Sequence, residues 1–362
     1  MTNGRNQQLW GHGDLSATAD LPQACAAAGM CLTAGPEWSR KNREGTIDTV
    51  RAGVQLMVST VRAGVQLVTC KTALSRTGIP GHKYCLNPYT GCRHGCLYCY
   101  APVILRFSPV SDAWGTKVQA KVNIPEMLSK EVSRKRTPVG NVMVGSVTDP
   151  YQPCEEQLGL TRRCLEILGE RPDASVSILT KSALVTRDVD LFRRWVSRND
   201  ERSWASGNGG GNDGGVDHPP GPRVSVGFTI TVLDDGTAKA FEAGASSPSE
   251  RLKAVRRLVQ EGIPVWVFVA PVLPGIGDSP ESLEDLLSAI RDAGISEVSF
   301  DRLNPYPRSV ALLRAAYRRR FPSALPALEQ YLLDPITYWA DFEMMAKPLV
   351  ERSRPRDLRL HS

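Results

Sequence analysis

From Val142 to Arg320 short apolar runs alternate with stretches of helical period, and that alternation limits the fold more than any other feature of the 362-residue chain. Val142–Val147, Ser175–Leu179, Arg223–Thr231, Val265–Val272 and Glu297–Asp301 read as strands buried on both faces. Between and after them, helices are expected over Glu156–Leu168, Arg187–Val196, Pro248–Glu261, Pro280–Ala293 and Arg308–Arg320. Ser247 with Glu250 has the capping-box pattern, and Ser279 is an N-cap residue. Upstream, Lys83–Tyr89 reads as a strand, Thr116–Val122 alternates polar and apolar residues, and Ile124–Arg136 is a helix with Pro125 in its first turn. Counting Lys83–Tyr89 gives six β/α units. Strands that alternate with helices imply an α/β fold with a parallel sheet and right-handed crossovers. In such folds the chemistry gathers at the C-terminal strand ends. Tyr89–Tyr100, Thr148-Asp149, Lys181-Ser182 and Pro274-Gly275 all fall there.

The first of those ends carries Cys92, Cys96 and Cys99 at a C-x3-C-x2-C spacing. Gly91 and Gly95 give the loop the freedom to curl its sulfurs toward one point. Iron–sulfur clusters are held by cysteine thiolates, usually four. Three on one loop point to a cubane with one iron left without a protein ligand. The rival donor set is Cys3His zinc with His94, which requires one short loop to wrap four ligands around a single ion. The other cysteines, Cys25, Cys31, Cys70, Cys85, Cys154 and Cys164, show no framework spacing and read as buried thiols.

C-x3-C-x-aromatic-C, with Tyr98 as the aromatic, resembles the signature of the radical S-adenosylmethionine (SAM) enzymes. The wider run from Asn87-Pro88-Tyr89 to Tyr98-Cys99-Tyr100-Ala101 is similar to the spore photoproduct lyase-like, or DNA repair photolyase-like, branch. The resemblance spans roughly Lys71 to Pro307 and implies a partial (β/α)6 barrel of the TIM type, a [4Fe-4S] cluster on Cys92, Cys96 and Cys99, and SAM on the open iron. It also implies reductive cleavage of SAM to a 5′-deoxyadenosyl radical that abstracts hydrogen from a substrate, with a one-electron reductant of the flavodoxin or ferredoxin type as partner. Ser146, Thr148 and Asp149 match the segment that binds the SAM amino group, and Lys181-Ser182 matches a T-K-S motif whose lysine faces the SAM carboxylate. Tyr98 and the run Ala270–Gly275 are expected near the adenine, and Ser225 is a further SAM-contact candidate. One position departs from the pattern. Spore photoproduct lyase has a cysteine that returns hydrogen to the substrate, and the matching position here is Ser146; Cys154 is the nearest thiol that could replace it.

Lys and Arg outnumber Asp and Glu by 44 to 38, a net charge of +6, which fits a phosphate-bearing partner without requiring one. Arg134–Arg136 and Arg314, Arg318, Arg319 and Arg320 beside Tyr317 and Phe321 suit phosphates and stacked bases, so the substrate reading is DNA or RNA. The rival readings are radical chemistry on a small metabolite or peptide, and a metal-bearing binding protein without catalysis. The amino terminus is polar, and the most apolar stretch, Ile263–Ile276, is broken by Pro264, Pro271 and Pro274. No membrane span is expected, and the cytoplasm is the expected location. Residues 1–70 read as an extension in which T-V-R-A-G-V-Q-L occurs twice, at Thr49–Leu56 and Thr60–Leu67, and 71–322 as the barrel. A Gly- and Pro-rich insertion covers 199–221, and 323–362 is a helical tail with Tyr331, Trp339, Phe342 and Met344 toward the barrel.

Overall fold

The computed structural model describes residues 64–134, 138–205 and 222–353. Cys25, Cys31, the first copy of the repeat, Lys135, Arg136 and residues 206–221 of the Gly- and Pro-rich insertion lie outside the described residues.

Among the described residues the strands form two sheets. The larger contains β2 (Leu74–Arg76), β3 (Tyr84–Leu86), β6 (Gly140–Val144), β7 (Ala174–Thr180), β8 (Val224–Thr229), β9 (Val265–Val269) and β10 (Val298–Phe300), in the order β10-β9-β8-β7-β6-β3-β2. Every pairing from β3 to β10 is parallel, and β2 adds an antiparallel edge. The six parallel strands are the six units read from the alternation, so the fold is a partial (β/α)6 barrel. The smaller sheet joins β1 (Val65–Val68), β5 (Val118–Lys121) and β4 (Tyr89–Thr90). Val65–Leu67 of the second repeat copy are thus in a strand, paired in parallel with β5. The predicted strand Lys83–Tyr89 is cut in two at Asn87-Pro88, because Pro88 has no N–H to give a ladder.

The helices follow with local differences. Ahead of β6, α1 (Ala101–Ile104) leaves the cysteine loop and α2 (Ile124–Arg134) follows β5. The predicted helix Glu156–Leu168 is two, α3 (Glu155–Leu158) and α4 (Leu160–Gly169), parted at Gly159, whose φ of 57° is left-handed. The next helix, α5 (Val189–Ala205), runs past the predicted Val196 into the expected insertion, since no Gly or Pro interrupts the chain before Gly207. Between β8 and α7 (Pro248–Gln260) lies an unpredicted helix, α6 (Asp235–Phe241). The capping box on α7 is complete, and Ser279 caps α8 (Pro280–Asp292). Then come α9 (Pro307–Arg320), α10 (Leu325–Leu333) and α11 (Pro335–Ser353), the last two meeting at the predicted break at Pro335.

Register separates the two faces of the parallel sheet. Val142, Val176 and Val224 share one row and Val144, Ile178 and Val226 the next, and each is 0–2% exposed. That face packs under Leu128 of α2, Leu165 and Leu168 of α4, Phe192 of α5, Val255 of α7 and Leu287 of α8 in one core. Burial of each such side chain stabilises by about 1.5–3 kcal/mol, which is what holds the helices to the sheet. The opposite face carries Met143, Ser177 and Ser225 in one row and Leu179, Gly227 and Trp266 in another. In the tail, Tyr331 is buried over the strand ends and Phe342 packs edge-on against Phe300 of β10, whereas Met344 is 70% exposed and turns to solvent rather than to the barrel.

One carboxylate ties three strand ends together. Asp149, past β6, accepts from the Thr180 hydroxyl at 2.7 Å and the Lys181 N–H at 2.7 Å, both at the end of β7, and from the Tyr151 N–H at 2.9 Å. The His94 imidazole of the cysteine loop stands 3.3 Å from its second oxygen. Burial by itself would push this carboxyl up; His94 and the two β7 donors outweigh it and bring it down to about 2. A depressed carboxyl contributes stability that is complete above about pH 4 and is lost as pH falls toward 2. The expected contribution is about 2 kcal/mol. Urea midpoints between pH 5 and pH 2 should therefore fall more steeply for the wild type than for Asp149→Asn. Parallel curves would show that the carboxylate is not held ionised.

Candidate active site at the cysteine loop

The loop after β3 is strung between two tyrosines, each donating its hydroxyl to a buried carboxylate that is itself paired with an arginine. At its start Tyr89 donates to Glu155, which also takes Arg187 Nη2 at 2.8 Å and the Thr161 N–H at 3.0 Å. Toward its end Tyr98 donates to Glu242, which also takes Arg251 Nη2. Glu242 and Arg251 are buried, at 3 and 1% exposure, so theirs is a desolvated ion pair whose partners cannot be exchanged for water, whereas Glu155 is fully buried and its partner Arg187 is half-buried. Burial would push the Glu242 carboxyl up, but Arg251 and Lys181 hold it below the usual carboxylate range.

Between the tyrosines the backbone is fastened from both sides. Gly91 O accepts from the Thr148 hydroxyl at 2.6 Å and from Gln152 Nε2 at 3.3 Å, and the Arg93 N–H donates to Gln152 Oε1 at 3.0 Å. On the other side runs the segment after α6. The Leu97 N–H donates to Phe241 O at 2.9 Å and the Gly244 N–H to His94 O at 3.0 Å. A Cβ at Gly244 would stand 2.1 Å from Arg93 O, so this approach requires glycine.

Cys92 and Cys96 are buried and Cys99 is half-buried. Burial pushes all three thiols up, Cys96 to about 12, while the Lys181 ammonium counteracts it at Cys96 and Cys99. Lys181 Nζ lies 5.6 Å over the centre of the Tyr98 ring. Among the described residues, no three His, Cys, Asp or Glu side chains converge as donors to a single metal ion. The donor set fits an iron–sulfur cluster in kind: three thiols on one loop with a cation beside two of them, where iron would displace the thiol proton that burial otherwise retains. His94 is turned to Asp149.

The residues predicted around SAM divide by what they already hold. Thr148 holds Gly91, and Asp149 holds His94 and the end of β7. Ser146 takes Asn87 Nδ2 on its hydroxyl at 3.0 Å and the Tyr100 hydroxyl on its carbonyl. Ser182 caps the 3-10 turn Ala183–Asp188. These four build the strand ends, and of the predicted set it is Lys181 that projects a charge over the loop. Ser225 lies on the sheet face opposite the helices, its hydroxyl on Ser177 Oγ at 3.3 Å. Cys154 is 3% exposed, with burial and then Glu155 pushing its thiol up to about 12. The expected stacking platform on α9 is not one. Tyr317 is fully buried with its hydroxyl on Pro274 O at 2.9 Å, Phe321 stacks on Phe241 at 5.3 Å, and Arg314 pairs with Glu329 at 2.6 Å. Apolar burial won those rings for the packing around Cys96 and Tyr98.

Sequence reasoning missed Glu242, Arg251, Gln152 and Gly244. Glu242 lies 144 residues from Tyr98 along the chain, and nothing local marks it. Behind the loop a cavity of about 420 Å³ opens between the β6 and β7 ends and α7, lined by His94, Tyr151, Glu156, Ser182, Ser246 and Glu250.

No protein-family model matches the chain. It is 31% identical over 211 residues to an uncharacterised protein of Methanocaldococcus jannaschii, MJ0683, covering 58% of this chain and 68% of that one. It is 30% identical over 274 residues to an uncharacterised protein of Mycobacterium tuberculosis, Rv2578c, covering 70% of this chain and 73% of that one. Among solved structures it superposes on spore photoproduct lyase complexed with dinucleoside spore photoproduct with a TM-score of 0.56, at 14% identity, over 85% of this chain and 92% of the lyase. A lyase variant with AdoMet and the same dinucleoside gives 0.55. The chain therefore belongs to the family of these archaeal and mycobacterial proteins, and its fold is that of the spore photoproduct lyase barrel.

Proposed function

We propose that the protein is a radical SAM enzyme in which Cys92, Cys96 and Cys99 hold a [4Fe-4S] cluster and SAM binds beside it. The observation that carries this reading is the C-x3-C-x2-C loop itself, seated at the C-terminal edge of six parallel strands with the Lys181 ammonium over its tyrosine. Held by Cys92, Cys96 and Cys99, a cluster supplied by a one-electron reductant would provide the electron for reductive cleavage of SAM and so for hydrogen abstraction from the substrate. The chain's own residues supply position and charge. Lys181 pairs with the SAM carboxylate. Asp149, Thr148, Ser146 and Ser182 fix the strand ends around it, Tyr98 orients the loop toward the adenine, and Ser225, lower on the inner face of β8, is a further candidate contact.

We read the substrate as a nucleic-acid base. Its support is the barrel shared with a lyase whose structure holds a dinucleoside photoproduct. The exposed arginines Arg318, Arg319 and Arg320 add positive charge without base-stacking rings. Ser146 cannot return hydrogen as a thiol does. Cys154 is the proposed donor, since its raised pKa keeps it in the S–H form that donation needs.

After anaerobic reconstitution the wild type should contain iron and sulfide and form 5′-deoxyadenosine from SAM under reduction, and Cys96→Ala should form none. Zinc in place of iron, or equal product from the variant, overturns the assignment. Lys181→Ala should weaken SAM binding about tenfold or more, the worth of a charge-assisted hydrogen bond, as read by equilibrium dialysis. Oligonucleotides should raise 5′-deoxyadenosine formation, an effect that weakens steeply with salt. Cys154→Ala should change the product distribution on the responding oligonucleotide; an unchanged distribution removes Cys154 from the reaction.

A further inference from the structure

The cysteine loop carries its central thiol two residues before Tyr98, and the Tyr98 hydroxyl reaches out of the loop to a fully buried carboxylate. That carboxylate, Glu242, lies just past α6 and is held in place by Arg251 of α7. Arg251 has no freedom of its own. Its Nε donates to Ser246 O and its Nη1 to Thr229 O, both at 2.8 Å, and Thr229 ends β8. The Thr231 hydroxyl adds a contact to Glu242 at 3.4 Å. The sheet, through Thr229, therefore fixes Arg251, Arg251 fixes Glu242, and Glu242 fixes the ring of Tyr98. Two groups depend on that ring. Cys96 packs with it in one apolar cluster with Phe241, Leu313 and Leu328, and Lys181 lies over its face.

Resting on the radical SAM reading, we infer that Glu242 and Arg251 are positioning residues for the cysteine loop. Through the Tyr98 hydroxyl they hold Cys96 and Cys99 in place to receive the cluster, and they keep the Tyr98 ring where Lys181 can cover it. Thr148, Gln152 and the segment after α6 hold the loop by its backbone, Glu155 holds Tyr89 ahead of the first cysteine, and Asp149 faces His94 between the first two. Glu242 grips the side chain between Cys96 and Cys99, and that grip explains why the aromatic position is filled by tyrosine where phenylalanine would pack as well.

The test uses the apo protein, so it does not depend on cofactor loading. Tyr98→Phe keeps the ring and the buried ion pair and deletes only the link; Glu242→Gln keeps an acceptor and deletes the charge. Cysteine alkylation by iodoacetamide is followed residue by residue by mass spectrometry, with Cys164, which is fully buried in the main core, as the reporter of global opening. Alkylation of Cys96 and Cys99 should rise about tenfold in Tyr98→Phe with Cys164 unchanged, the effect of one lost charged hydrogen bond. Glu242→Gln should do the same, and the double variant should add nothing further, as for two changes in one link. Reconstituted Tyr98→Phe should also show an altered electron paramagnetic resonance spectrum of the reduced cluster with SAM. Wild-type alkylation rates in both variants overturn the inference, as does a rise at Cys164 in step with Cys96. If the wild type takes up no iron while the alkylation pattern holds, the radical SAM reading fails and the positioning role stands.

Discussion

Two Tyr–Glu–Arg chains built on buried carboxylates, Tyr89–Glu155–Arg187 and Tyr98–Glu242–Arg251, bracket the cysteine loop, and the site's geometry depends on them. A loop that must present thiols inward cannot be held by apolar packing alone, because its backbone groups also need partners. A buried ion pair is weak as a source of net stability, since desolvation cancels most of its attraction. Its value here is geometric. Each carboxylate is immobilised by a guanidinium before it accepts the tyrosine, so the loop is hung from fixed points rather than from mobile side chains. Removing either arginine would leave a charge stranded in the core, which is why the anchors resist gradual loosening.

The two anchors draw on different parts of the barrel. Glu155 and Arg187 follow β6 and β7, and Arg251 reaches the end of β8 through Thr229. Asp149 crosses between them by holding the end of β7 and facing His94. Strand ends that would otherwise move independently are thus referred to one another through the loop. That arrangement gives physical content to the general rule that parallel α/β folds work at their C-terminal strand edges: those edges are where successive crossovers bring polar loop residues of many strands within bonding distance.

How much of this was legible depended on range along the chain. The six parallel strands were readable because each is a short apolar run beside a periodic helix, and the caps at Ser247 and Ser279 were readable because capping is a matter of three or four residues. The cysteine motif was readable for the same reason. Local errors had local causes: Pro88 cuts a strand, Gly159 cuts a helix, and α6 was missed because seven residues with one glycine give little periodicity. The anchors were not legible at all. Glu242 is one acidic residue among many until the fold brings it to Tyr98, and Gln152 carries no signal that it will meet the backbone of Gly91 and Arg93.

Range along the chain also sets how the aromatic and basic residues of α9 read from spacing. Arginines interleaved with rings describe both a nucleic-acid platform and an amphipathic helix, and only packing separates them. Here Tyr317 and Phe321 face inward with Phe241, forming the apolar wall behind Cys96 and Tyr98, and the arginines are left on the solvent side. Those rings therefore serve the loop by excluding water from it. Dry surroundings raise the thiols, strengthen the field of Lys181 and make each hydrogen bond to Glu242 harder to replace by water. The helix that spacing offered as a substrate surface is thus part of what sets the electrostatics of the cysteine loop.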